Sequence, residues 1–66
     1  MSDRITSNPS ILCGKPVIRG TRISVELIME WLASGASREE ILRSYSHLTA
    51  EDIEAAVGYA AAQSNQ

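Results

Sequence analysis

The chain is poor in the residues that staple a small domain. It has one cysteine, Cys13, and one histidine, His47, among 66 residues. A lone cysteine makes no internal disulfide, and one cysteine with one histidine falls short of the ligand set of a structural zinc site, so no metal is expected. Phenylalanine is absent and the aromatics are Trp31, Tyr45 and Tyr59. None is interleaved with basic residues, which argues against a stacking platform for single-stranded nucleic acid. No uninterrupted apolar run approaches the ~18 residues of a membrane span, and the polar start Met1, Ser2, Asp3, Arg4 leads into no apolar signal region. Neither insertion nor secretion is signalled, and a cytoplasmic location is expected. A chain of this length buries only about 60% of its unfolded surface, and its core seldom contributes more than ~3–5 kcal/mol of net stability. Without disulfide or metal, self-association as a homodimer or a protein partner is the expected supplement.

What is present is unevenly distributed. From Met1 to Val25 the cations Arg4, Lys15, Arg19 and Arg22 face only Asp3, a sum of +3. From Glu26 onward seven acids outweigh Arg38 and Arg43, giving −5. Such a split points to different partners for the two halves, to one half meeting the other across a dimer, or to ordinary solvated surface charge.

Residues 1–23 hold both prolines and the turn signals Asn8-Pro9, Gly14-Lys15-Pro16 and Gly20-Thr21, which exclude helix. The β-branched pieces Ile5-Thr6, Ile11-Leu12 and Val17-Ile18-Arg19 between them predict brief extended strands. An isolated hairpin is marginal in water, so these should lie against helices or pair with a second chain. Ser24 is placed as an N-cap, with Ile23 and Ile28 as a hydrophobic staple. Val25, Ile28, Met29 and Leu32 then follow the helical i, i+3, i+4, i+7 spacing up to Gly35. Ser37 and Glu40 form a capping box for a short second helix that carries Ile41 and Leu42 and ends near Tyr45. Thr49 and Asp52 open a third, with Leu48 and Ile53 as staple and Ile53, Ala56, Val57 and Ala60 as the inward stripe. Gly58 inside it predicts a close approach by another backbone. The tail from Ala62 should fray. The expected architecture is one mainly α domain over 1–66: an extended β-arm or hairpin over 1–23, a three-helix homeodomain-like helix-turn-helix bundle over 24–62, and a frayed tail over 63–66.

Candidate chemistry is sparse. Nucleophilic catalysis would need Cys13 or a serine beside His47 and an orienting acid, and these lie far apart in sequence with no elbow motif, so the chain does not read as an enzyme. No cofactor or small-molecule substrate is implied, since Gly14-Lys15 lacks the remaining residues of a phosphate-binding loop. The second helix, the Tyr45–Leu48 turn and the third helix have helix-turn-helix lengths. However, the third helix carries Glu51, Asp52 and Glu54 and no lysine or arginine, so phosphates would repel it. Arg38 and Arg43 precede it and read most simply as surface partners of Glu39 and Glu40. The densest basic feature is the run from Lys15 to Arg22, where Arg19, Arg22 and the backbone around Gly20 and Thr21 could hold a carboxylate or phosphate; a structural use, with Arg19 or Arg22 tied to a helix acid, stands beside that reading. Lys15, Arg19, Thr21, Arg22, Arg38 and Arg43 are the candidate partner- or DNA-binding residues.

The segment from Asn8 to Val25, with Gly14-Lys15-Pro16 and Arg19-Gly20-Thr21-Arg22, resembles family 433 of the bacterial domains of unknown function. Ser37-Arg38-Glu39-Glu40-Ile41-Leu42, the Tyr45–Leu48 turn and Thr49-Ala50-Glu51-Asp52-Ile53 extend the resemblance over about residues 4–62. It implies a homeodomain-like three-helix fold with an N-terminal β-arm, classed with VapB-like antitoxins. An antitoxin of this kind binds a PIN-like nuclease toxin, blocks its acidic metal site, and binds its own promoter DNA as a dimer. This chain lacks the long C-terminal tail with which a typical antitoxin wraps its toxin. A stand-alone DNA-binding or protein-interaction module with no toxin partner is the alternative expectation.

Overall fold

The computed structural model describes residues 3–64. Strand β1 (Ile5–Thr6) pairs antiparallel with β2 (Val17–Ile18), Ile5 opposite Ile18 and Thr6 opposite Val17. Three helices follow: α1 (Val25–Ala33), α2 (Arg38–Ser44) and α3 (Ala50–Ser64). The expected three-helix bundle with a small N-terminal hairpin is the observed fold. The hairpin is nevertheless no projecting arm. Ile5, Val17 and Ile18 are 4%, 0% and 1% exposed and complete the core with Val25, Ile28, Ile41, Leu48, Ile53 and Ala56. Two-residue strands carry too few ladder bonds to persist alone, so burial against α3 and its neighbours is what fixes them.

The helix ends follow from local chemistry. Ser24 Oγ accepts the Leu27 amide at 2.9 Å and starts α1. Its other end is a complete Schellman motif: the Gly35 amide donates to the Leu32 carbonyl at 3.1 Å and the Ala36 amide to that of Trp31 at 3.0 Å. Gly35 takes φ +102° there, a conformation that a side chain would strain. For α2, Ser37 Oγ accepts the Glu40 amide at 3.1 Å while Glu40 Oε1 accepts the Ser37 amide at 2.9 Å. The start of α3 repeats the device: Asp52 Oδ2 accepts the Thr49 amide and Thr49 Oγ1 accepts that of Asp52, at 3.1 and 3.2 Å.

Three expectations are corrected. Ile11-Leu12 is not a strand; a tight turn covers Leu12–Gly14, with φ of 50°, 57° and 85° at its three residues. Helix α3 runs on to Ser64, taking in Ala62 and Gln63, while Asn65 and Gln66 lie outside the described residues. Among the described residues no close backbone explains Gly58, because a Cβ added there would meet none of their atoms within 4 Å.

Candidate functional site

The run from Lys15 to Arg22 is organised by one turn. The Thr21 amide donates to the Ile18 carbonyl at 3.0 Å, and Gly20 takes φ +80° at the third position, the glycine position of a type II turn. Thr21 is absorbed by this frame: its hydroxyl donates to the Ile18 carbonyl at 2.8 Å and accepts the Ile23 amide at 3.0 Å. Arg19 is exposed, and its Nε donates to the Asp3 carbonyl at 2.6 Å. Lys15 Nζ meets Glu26 Oε1 at 3.0 Å, a bond that, with the Glu26 charge, raises the lysine pKa from its ordinary value. Arg22 differs. It is exposed and, among the described residues, makes neither hydrogen bond nor ion pair.

Arg22 lies beside the left-handed turn. The Gly14 amide donates to the Ile11 carbonyl at 3.0 Å and the Lys15 amide to that of Leu12 at 3.2 Å, which holds Leu12 and Cys13 at positive φ. An L side chain in that region costs roughly 1–2 kcal/mol. The turn presents Leu12 at 43% exposure, a large apolar side chain left open to solvent. Leu12, Cys13, Arg22 and Leu27 line one open depression together with Ser24, the Lys15–Glu26 pair and Glu30. A guanidinium beside an apolar side chain can form a desolvated, bidentate pair with a carboxylate of another molecule.

The two candidates on α2 are not brought to this depression. Arg38 pairs through Nε with Glu54 of α3, rather than with Glu39 or Glu40. Arg43 lies in the last turn of α2, and its charge is one of the lesser influences on Glu40, whose pKa is lowered chiefly by the Ser37 backbone and hydroxyl. Two acids of α3 are therefore tied down, Glu54 by Arg38 and Asp52 by Arg4, whose Nη1 donates to Asp52 Oδ1 at 3.0 Å. Among the described residues no group of three or more His, Cys, Asp or Glu side chains is placed to hold a metal, and no helix is long and apolar enough to cross a membrane.

The profile of a family of proteins of unknown function, DUF433, matches residues 5–60. The chain belongs to the DUF433 family. Among its relatives is the uncharacterized protein y4eO of Sinorhizobium fredii, 45% identical over 58 residues that make up 88% of this chain and 26% of y4eO. The crystal structure of a DUF433 member from Anabaena variabilis superposes with a TM-score of 0.84 at 38% identity, over 88% of this chain and 57% of that one. The DUF433 chain thus spans about a quarter of one relative and little more than half of the other.

Three features of the site escape a reading of sequence alone. Leu12 enters through a left-handed turn that neither leucine nor cysteine advertises; the only local signal is Gly14-Lys15-Pro16, which ends it. The pairing of Arg4 with Asp52 joins residues 48 positions apart. Trp31 and Tyr45 meet with ring centroids 5.7 Å apart at 59°, linking the end of α1 to that of α2.

Proposed function

We propose that this DUF433 chain is a non-catalytic binding protein of the antitoxin kind, which captures a PIN-like nuclease through the surface around Leu12 and Arg22. The observation that carries the reading is Arg22, an exposed guanidinium with no partner among the described residues, beside an exposed leucine held on a left-handed turn. Strained backbone persists where the surrounding structure over-determines it, and it clusters at binding surfaces. Arginine offers a planar fork of donors that fits a carboxylate bidentately. Carboxylates that bind a hard divalent cation in a nuclease site are lost as ligands once a guanidinium occupies them. Arg19, exposed and held among the described residues through its Nε alone, is the natural second contact.

The test is co-expression with the product of the adjacent reading frame, affinity capture, and assay of that product's nuclease activity. Capture with inhibition is expected for the wild type, and its loss for a folded Arg19→Ala/Arg22→Ala variant. Unaltered inhibition by the double variant would sink the reading. The succession of α2, a short turn and α3, with Arg38 and Arg43 on α2, favours promoter binding as a second reading. That reading requires affinity for a promoter fragment to fall steeply with salt, and salt-independent binding would exclude it.

A further inference from the structure

The depression beside Arg22 is lined by two cations and two anions, and they do not all cancel. Lys15 and Glu26 are bound to each other at 3.0 Å, which leaves Arg22 and Glu30. Glu26 and Glu30 are one turn apart on α1, so their side chains leave the helix on the same face. Glu30 is exposed, and among the described residues its carboxylate makes neither hydrogen bond nor ion pair. The Lys15 pKa is raised first by the bond to Glu26 and least by the charge of Glu30, which therefore still reaches this depression. On its other side Glu30 borders a second open depression, which Trp31 and Glu40 also line and no cation does. Glu40 is engaged there, since its Oε1 accepts the Ser37 amide at 2.9 Å to cap α2. The last turn of α1, whose carbonyl end is the negative end of the helix dipole, carries no basic residue either. A ligand bound to Arg22 thus has the Glu30 carboxylate as its neighbour, with the apolar side chains of Leu12 and Leu27 in the same hollow.

We propose that Glu30 is the specificity-determining residue of the capture surface: it accepts a lysine or arginine of the captured protein beside the carboxylate that takes Arg22, and it turns away ligands that are anionic throughout, nucleic acid among them. Glu30 selects for capture only if Arg22 takes a carboxylate, as in the function proposed for it. Specificity is a difference of affinities, and an unpaired charge of the wrong sign is one of the means by which a surface produces it. A partner offering only carboxylates or phosphates gains the contact with Arg22 and sets its remaining charges against Glu30. A partner whose acid is flanked by a cation gains both contacts. The half-buried indole of Trp31, in the hollow that Glu30 shares, offers such a cation an aromatic neighbour.

The test compares Glu30→Lys with Glu39→Lys, which makes the same change of net charge at an exposed acid of α2 that lines neither depression. Circular dichroism checks that both variants are folded. Two quantities are read: affinity for the purified product of the adjacent reading frame, by titration calorimetry, and the salt concentration at which each chain leaves a heparin column. Glu30→Lys should bind the product about tenfold more weakly than wild type, and Glu39→Lys within about twofold of it. Glu30→Lys should also leave heparin at higher salt than Glu39→Lys, because Lys15, Arg22 and the new lysine then face a polyanion together. Equal affinity of the two variants for the product, with Arg22→Ala still impaired, overturns the assignment and leaves the capture function standing. Elution of the two variants at the same salt overturns it as well. Undiminished binding by Arg22→Ala sinks the capture function and the cation contact with it, while the order of elution still decides whether Glu30 excludes polyanions.

Discussion

Asp52 joins the hairpin to the bundle, and its removal should be the most damaging change at any polar position. The residue is 8% exposed, and its carboxylate accepts both the Thr49 amide that opens α3 and the Arg4 guanidinium that precedes β1. Burial alone would raise its pKa. The Thr49 backbone bond, then the bonds to Arg4 and to the Thr49 side chain, outweigh that effect and hold it below the usual value. Replacement by alanine removes a cap worth about 1 kcal/mol and a charge-assisted bond worth roughly 1.5–3, of which the Arg4 share is discounted because that side chain is half exposed. A net loss of about 2–3 kcal/mol is expected, against a total of about 3–5 kcal/mol for a domain of this size. The melting temperature should fall by roughly 10–20 °C. The pH dependence has a definite sign. A carboxyl whose folded pKa is depressed stabilises above its unfolded value, about 3.9, and the contribution disappears as pH falls through the depressed value. Urea titrations of wild type and Asp52→Ala at a series of pH values should therefore converge in acid. A loss under about 0.5 kcal/mol at neutral pH, or a wild-type-minus-variant difference constant down to about pH 2.5, would refute this account.

Two further changes separate backbone strain from packing. Gly58→Ala should stabilise by up to about 1 kcal/mol, since the helix gains a better former and the new Cβ meets nothing; Gly35→Ala, at φ +102°, should cost about 1–2 kcal/mol. Thermal melts that place the two shifts in the same direction would contradict these backbone assignments. Leu12→Gly should leave the fold intact or slightly steadier, because relief of the left-handed strain is offset in part by the freedom that glycine adds to the unfolded chain. The same variant should lose affinity for the captured partner, and full capture by it would remove Leu12 from the binding surface.

How much of this was legible in the sequence depended on range. Ser37 with Glu40, Thr49 with Asp52, and Ser24 with Leu27 are devices completed within three residues, so each helix start could be read directly. Gly20 and Gly35 were legible because few other residues tolerate their φ. The turn at Leu12 and Cys13 was not, since Ile11-Leu12 carries strand-forming side chains and the left-handed geometry is imposed by the hydrogen bonds that close around it. The hairpin was legible as extended, but its burial was not. Strand propensity says that Ile5 and Ile18 are extended, and only the assembled bundle shows that the face they share lies in the core. Of the six candidate site residues, sequence could not show that Thr21 is absorbed by a turn, that Lys15 and Arg38 are paired, and that Arg22 is left over.

That last distinction favours a protein partner over DNA. The charge split along the chain is resolved largely inside the molecule: Arg4 and Lys15 of the basic segment cross to Asp52 and Glu26, and Arg38 crosses to Glu54. Half of the six cations are thereby engaged. Those pairs lessen the repulsion that α3 would exert on phosphates, but they supply no donor for base edges. Its exposed positions include Glu51, Glu54, Gly58, Ala61, Ala62 and Gln63, of which Gln63, near the C-terminal end, can donate a side-chain hydrogen bond. A recognition helix contacts base edges chiefly through its N-terminal residues, where α3 exposes the carboxylates Glu51 and Glu54, which phosphates repel. Capture of a carboxylate by Arg22 needs no such compensation. The guanidinium is already exposed, an apolar neighbour stands ready to exclude water from the contact, and a partner of opposite charge gains affinity without disturbing any pair on which the fold depends.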